Sequence, residues 1–113
     1  MIDRKKFKEN FVYLDKEVVV EIIDIFLSEY EERLLNIQNN ITQGDFAGLK
    51  FNAHSLKGVI ANFMDPSTIE LSRTLDEKAK LETNSGLQEL YDNLKFATES
   101  LVTDLNDLKK DFI

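Results

Sequence analysis

Apolar residues recur every three or four positions along most of the chain, which is the spacing that places side chains on one face of an α-helix. The longest stripe follows Asp15, a residue type that caps helix N-termini, and extends to about Thr42. It consists of Val19, Ile23, Phe26, Tyr30, Leu34, Ile37 and Ile41. This run covers roughly six helical turns and predicts one long helix with a single buried face.

The same segment carries three further apolar residues beside the main stripe, namely Val18, Ile22 and Ile25. A short helix predicted over residues 3–13 offers two phenylalanine rings that would cover them. Alternatively, the three residues form an exposed apolar patch that binds a protein partner. The apolar pattern alone leaves both interpretations open.

A second stripe runs through residues 46–63, after a Gly44-Asp45 pair that ends one helix and caps the next. Its members are Phe46, Leu49, Ala53, Leu56, Ile60 and Phe63. The only histidine of the chain, His54, points about 135° away from this stripe. Its neighbours at helical spacing are two lysines, one phenylalanine and three small residues, namely Lys50, Lys57, Phe51, Ala47, Gly58 and Ala61. His54 is therefore predicted to lie on the open face of a buried helix.

The C-terminal half predicts two further helices, each introduced by a helix-start signal. Asp65-Pro66 starts the first, over residues 66–82, and a Ser85–Gln88 capping box starts the second, over residues 87–110. With four glycines, one proline and few alternating apolar runs, the chain is predicted to be all-α. Short connections favour antiparallel neighbours, so residues 1–113 are expected to form one domain, an up-down-up-down four-helix bundle with a short additional N-terminal helix.

Composition and charge exclude several classes of function. The net charge of −7 argues against nucleic-acid binding and against docking on an anionic membrane surface. The chain contains no cysteine, so disulfides and thiolate metal sites are excluded. It has neither an apolar run long enough to span a membrane nor a secretory signal, which predicts a cytoplasmic protein.

The reactions that His54 could perform narrow the remaining classes of function. A metal site needs several convergent ligands, and the Glu-x-x-His pattern of metal-binding bundles is absent because Phe51 precedes His54 by three residues. A serine hydrolase is disfavoured because Ser55 points about 100° away from His54 and no G-x-S-x-G motif is present. Phosphoryl acceptance fits better: imidazole is a nucleophile near neutral pH, and the two lysines would balance the incoming charge. A surface histidine without a catalytic task remains the alternative.

The run from Ala53 to Gly58, A-H-S-L-K-G, resembles the A-H-x-L-K-G signature of the histidine-containing phosphotransfer (HPt) family of bacterial two-component phosphorelays. Ala61-Asn62-Phe63 is similar to the element that follows the signature in that family. The resemblance implies a four-helix bundle with a short extra N-terminal helix, in agreement with the apolar pattern. It also implies a signal-transduction protein that passes phosphoryl groups on without kinase or ATPase activity of its own.

The resemblance further implies roles and partners. His54 would carry the phosphoryl group on Nε2, Lys57 would contact the phosphoryl oxygens, and Gly58 would keep the approach open. The implied partners are response-regulator receiver domains and a hybrid sensor histidine kinase. The receiver would supply the phosphoaspartate and Mg²⁺, so this chain, expected as a monomer, would bind no cofactor or metal. The residues predicted to contact the partner are Lys50, Phe51, Ala61, Ile22 and Ile25.

Two positions depart from the family pattern. Met64 stands where many members have glycine after the Ala-Asn-Phe element. Many members also place a glutamine on the next helix within reach of the phosphoryl group, and this chain has no clear equivalent. The candidates for that space are Arg73, Asp76 and Lys80.

Two other functions remain to be weighed. Dimerising histidine kinases carry an acidic residue directly after the histidine and a proline five residues after it, whereas this chain has Ser55 and Val59 there. It also lacks a glycine-rich ATP-binding segment, so a kinase is disfavoured. A non-catalytic helical module that binds receiver or kinase domains without transfer is the alternative hypothesis.

Overall fold

The computed structural model describes all 113 residues. It contains five α-helices, two short 3₁₀ turns and no strand, which confirms the all-α prediction. The helices are α1 (Arg4–Asn10), α2 (Lys16–Gln43), α3 (Phe46–Ile60), α4 (Pro66–Lys80) and α5 (Leu87–Leu108). The 3₁₀ turns are Ala61–Phe63 and Lys109–Phe112. The predicted helix ends lie within one turn of the observed ones.

The four long helices form a closed bundle. α2 packs against α3 and α5, and α4 packs against the same two helices. Because the connections between successive helices are short, neighbours run antiparallel, as the apolar pattern predicts. The bundle measures 42 × 22 × 21 Å, so the helices are aligned along one long axis.

The apolar stripes supply a continuous core, and aromatic rings close one end of it. Phe63, in the turn after α3, has its ring centroid 5.0 Å from that of Phe26 and 6.5 Å from that of Phe7. All three rings are fully buried. The short α1 is therefore held across the end of the bundle, beside the turn that ends the helix of His54.

Of the four predicted helix starts, those at Asp15, Asp45 and Asp65 use the expected N-cap residue, although the Asp15 side chain makes no capping hydrogen bond. Asp45 accepts a hydrogen bond from the Gly48 amide at 2.9 Å, and Asp65 accepts one from the Ser67 amide at 3.2 Å. The Ser85–Gln88 capping box is wrong. Gly86 is the N-cap of α5, with φ +68°, and the Gln88 side chain bonds Gln38 across the bundle instead.

The backbone conformation of Met64 explains how the chain forms the turn after Ala-Asn-Phe without glycine. Its backbone is left-handed, with φ +57° and ψ +37°, a conformation that glycine adopts without strain. Its side chain packs partly buried against the core, and its carbonyl accepts a hydrogen bond from the Asp3 amide at 2.8 Å. Packing and this bond offset a backbone strain on the order of 1 kcal/mol. The chain therefore makes the turn into α4 without glycine.

Candidate functional site

His54 projects from the middle of α3 into solvent. The opposite face of the helix is buried through Leu49, Ala53, Leu56 and Ile60, each at most 1% exposed. The side chain of His54 is 66% exposed. The orientation predicted from the helical wheel is therefore confirmed, and most of the imidazole is open to solvent.

A buried carboxylate on α4 lies behind the imidazole. Asp76 is only 1% exposed, and its Oδ2 accepts hydrogen bonds or ion pairs from Lys57 Nζ at 2.9 Å and Lys80 Nζ at 3.1 Å. Its Oδ1 lies 3.4 Å from His54 Nδ1 and has no hydrogen-bond partner. Of the three residues considered for the glutamine position, Asp76 and Lys80 reach the site. Arg73 does not, because its guanidinium binds Glu70 and Glu77 on its own helix.

The charge state of Asp76 follows from these contacts. Burial alone would raise the pKa of the Asp76 carboxyl, but the hydrogen bonds and charges of Lys57 and Lys80 outweigh it. The pKa consequently lies below its ordinary value of 3.8. The carboxylate is ionised throughout the physiological pH range and can accept a hydrogen bond from the imidazole.

The lowered pKa of Asp76 predicts an acid-dependent loss of stability. A carboxyl whose pKa falls on folding stabilises the protein above its unfolded-state pKa of about 4 and loses that contribution as pH drops through the folded value. Between pH 5 and pH 3, we expect the melting temperature of Asp76→Asn to fall less than that of the wild type. Thermal melts against pH measure this, with the exposed Asp92→Asn as control. Equal pH dependence in all three proteins would contradict the assignment.

Small residues of α3 leave open space beside His54. A Cβ built on Gly58 would meet no atom within 4 Å, and Ala47 and Ala61 are exposed. An open depression of ≈ 620 Å³ lies over the ring, lined by Ala47, Lys50, Phe51, His54, Ser55 and Lys80. Phe51, which is 75% exposed, lies at the edge of this depression.

Two further cations reach the residues that line the depression, Lys50 as one of them and Arg33 through Ser55. Lys50 Nζ lies 3.8 Å from Glu82 Oε2, a loose surface pair that leaves it free to turn. Arg33, on α2, donates from Nη1 to Ser55 Oγ at 2.9 Å and also pairs with Glu29. Sequence reasoning missed Arg33, because no local pattern reveals which residue of α2 faces α3.

The additional apolar residues of α2 lie on the side of that helix that adjoins α3. Counted from Arg33, Val18, Ile22 and Ile25 fall within about 80° of it on an ideal helical wheel. Val18 and Ile25 are exposed, the latter by 50%, whereas Ile22 packs partly against the core. The short helix α1 therefore leaves Val18 and Ile25 uncovered. We refer to Val18, Ile22 and Ile25 as the α2 patch.

Two further features bear on the site. No group of three or more His, Asp or Glu side chains is arranged to hold a metal ion. No helix is both long and apolar enough to cross a membrane.

Comparison with known proteins decides the family. Residues 21–110, which include α3 and its histidine, match the model of the Hpt domain. The chain belongs to the Hpt domain family. It is also 24% identical over 112 residues to the phosphorelay intermediate protein rdeA of Dictyostelium discoideum. That alignment covers 96% of this Hpt chain but 44% of the relative, so the chain spans less than half of the relative's length. No solved structure matches the chain significantly.

Proposed function

We propose that this Hpt chain is a phosphorelay intermediate, in which His54 accepts a phosphoryl group from a receiver phosphoaspartate and later donates it to another receiver aspartate. Membership of the Hpt family and the similarity to a phosphorelay intermediate support this function. The observation that carries it is the exposed imidazole of His54, with an open depression beside it that Lys80 lines and a carboxylate behind it that Lys57 and Lys80 contact.

The transfer follows from the geometry of the ring. The lone pair of Nε2 attacks phosphorus, the N–P bond forms, and the bond from phosphorus to the aspartate oxygen breaks, releasing the receiver carboxylate. Donation reverses these steps, with the electron pair of the N–P bond returning to Nε2. Such transfer depends mainly on positioning and on charge balance, both of which the partner and this site would supply together.

In this proposal, Lys57, Lys50 and Gly58 have separate roles. Lys57 contacts the phosphoryl oxygens, and because an ammonium has three donors, it does so while keeping its bond to Asp76. Lys50 attracts the incoming dianion and is free to turn toward it. Gly58 leaves room for a receiver surface to lie flat over the ring. Mg²⁺ belongs to the receiver in this scheme, and the Hpt chain binds no metal itself.

The proposed partners are receiver domains and a hybrid sensor histidine kinase. Phe51 and Ala61 lie on the face of α3 around His54, and the α2 patch lies on the side of α2 that adjoins α3. We propose that these residues form the docking surface, with Lys50 at its edge. A cytoplasmic monomer would leave this surface free for one receiver at a time.

A charged residue in the α2 patch tests the docking surface. Ile25 is half exposed, so Ile25→Glu should leave the melting temperature within a few degrees of the wild type while weakening receiver binding by about ten-fold. Isothermal titration with a receiver measures the affinity, and Leu35→Glu, an exposed leucine of α2 outside the patch, is the matched control. Unchanged binding by Ile25→Glu would remove the patch from the docking surface. Ile22→Glu is a less clean test, because Ile22 also packs against the core.

The function is tested by incubating the chain with a phosphorylated receiver and Mg²⁺. The proposal predicts acid-labile, alkali-stable label on the Hpt chain and its discharge by a second receiver. A non-catalytic module would instead bind the receiver without becoming labelled. Binding without label in wild-type protein would favour that second function.

A further inference from the structure

Asp76 is placed where it can control the proton on the other nitrogen of His54. Its Oδ1 is buried, has no hydrogen-bond partner and lies 3.4 Å from Nδ1. A buried acceptor without a partner is costly, and a small rotation of the exposed imidazole would satisfy it. The carboxylate is held in place through its other oxygen by Lys57 and Lys80, so the ring and not the carboxylate is the element free to adjust.

Lys80 is placed differently from Lys57. Both ammonium groups reach Asp76 Oδ2, but Lys80 is 58% exposed and lines the depression over the imidazole, whereas Lys57 is 33% exposed and does not line it. A long, exposed lysine side chain reorients at little cost. Lys80 is therefore the cation that can leave Asp76 for a group bound in the depression.

We propose a charge exchange at this site: upon phosphorylation of His54, Lys80 moves from Asp76 to the phosphoryl oxygens, while Asp76 holds the proton on Nδ1 throughout the transfer cycle. The inference rests on the proposed function of His54. It makes Lys80 a phosphoryl ligand and Asp76 a positioning residue that acts through the imidazole.

The proton balance explains what Asp76 contributes. With the proton on Nδ1, the lone pair is on Nε2, the nitrogen that faces solvent. After attack, the ring carries a positive charge that Oδ1 of Asp76 stabilises, and on donation the N–P electron pair returns to Nε2. No proton has to be gained or lost in either direction, just as an aspartate fixes the tautomer of a catalytic histidine in hydrolases.

The charge balance explains why one lysine can leave. Phosphorylation places a positive ring beside Asp76, so the buried carboxylate keeps two cationic partners, the ring and Lys57, after Lys80 departs. Of the other cations, Arg33 pairs with Glu29 and Lys50 pairs loosely with Glu82, so neither is a partner of Asp76. Lys80 can therefore leave Asp76, because the positively charged ring replaces it as a partner of the carboxylate at the moment of transfer.

The experiment combines ¹⁵N NMR of the imidazole with a transfer equilibrium. For the unphosphorylated wild type at pH 8, ring signals should report the Nδ1–H tautomer. Lys80→Ala should keep that tautomer but lower the phosphorylated fraction reached with a phosphorylated receiver, with the transfer equilibrium constant falling about five-fold or more. Asp76→Ala should lose the tautomer preference. If the alanine variant does not fold, Asp76→Leu, which has a similar branched shape but no hydrogen-bond acceptor, replaces it for the tautomer readout.

Each outcome decides the inference. Lys95→Ala, which removes one positive charge from α5, is the control and should match the wild type in both readouts. The role of Asp76 would be overturned if the wild type showed the Nε2–H tautomer. It would also be overturned if the folded Asp76 variants kept the tautomer preference of the wild type. An unchanged equilibrium in Lys80→Ala would overturn the exchange. If the wild-type chain takes no label at all, the proposed function fails, and the tautomer arm still decides whether Asp76 positions the ring.

Discussion

A His54→Gln variant will take no phosphoryl group from a phosphorylated receiver, and its labelling will fall to background. Glutamine has a planar amide of similar reach but no nucleophilic lone pair comparable to that of imidazole. His54 is the only histidine of the chain, so no second imidazole can take over. Time courses with labelled receiver and Mg²⁺ measure the loss.

The fold should survive this substitution. The side chain of His54 is 66% exposed, and its one close polar contact is the 3.4 Å approach to Asp76. We therefore expect a change in unfolding free energy within about 0.5 kcal/mol, the usual range for surface positions. Receiver binding should persist, which separates loss of chemistry from loss of docking. Label that remains on a folded His54→Gln protein would refute the assignment of the acceptor.

Substitutions of Gly58 should change stability and transfer in opposite directions. A Cβ at this position would meet no atom within 4 Å, so Gly58→Ala should raise the unfolding free energy by about 1 kcal/mol, since glycine in a helix interior costs that much. Gly58→Leu should also fold, but its side chain would lie one turn from His54, in the path of the receiver. Displacing the reactants by about 1 Å costs on the order of 100-fold in rate, which is the loss expected for the leucine variant.

The two substitutions of Gly58 are read together. Thermal melts report stability, and single-turnover transfer from a receiver reports the rate. Ser100→Leu, which adds a leucine to an exposed position of α5, controls for the effect of an apolar side chain on the surface. Wild-type transfer rates in Gly58→Leu would show that transfer does not need clearance at this position.

The helices and the face of α3 that carries His54 could be predicted because they follow from short-range periodicity. The stripe from Phe46 to Phe63 identifies the buried face, and His54 necessarily lies opposite. Gly44 and Asp45 mark the helix ends because their conformational and hydrogen-bonding preferences are local. None of these predictions depends on which helices pack against each other.

The sequence indicates Asp76 only as one of three candidates, with Arg73 and Lys80, because the choice among them depends on packing between helices. Along α4, Thr68, Ser72 and Asp76 follow one another at intervals of four and are buried, yet polar residues at such spacing ordinarily indicate a solvated face. Asp76 is buried at little cost because Lys57 arrives from α3 and Lys80 from its own helix. The i, i+4 spacing of Asp76 and Lys80 is a local signal, but it does not distinguish a surface pair from a buried one.

The turn after α3 shows the same limit. Met64 in place of glycine reads as a departure from the family pattern, and only the structure reveals that it adopts the conformation of glycine. Phe63, Phe26 and Phe7 fix that turn from three different segments of the chain. The far end of the histidine helix is thus preserved by long-range packing, which a local motif does not encode.

The most direct test of the proposed function is to find where the phosphorus is. The chain, labelled with ¹⁵N at the histidine ring, is incubated with a phosphorylated receiver and Mg²⁺ and then observed by ³¹P and ¹⁵N NMR in alkaline solution, where phosphohistidine persists. We predict one phosphoramidate signal, with phosphorus coupled to Nε2 of His54. Phosphorus on any other residue, or receiver discharge with no phosphorus on the chain, would contradict the function proposed for this Hpt protein.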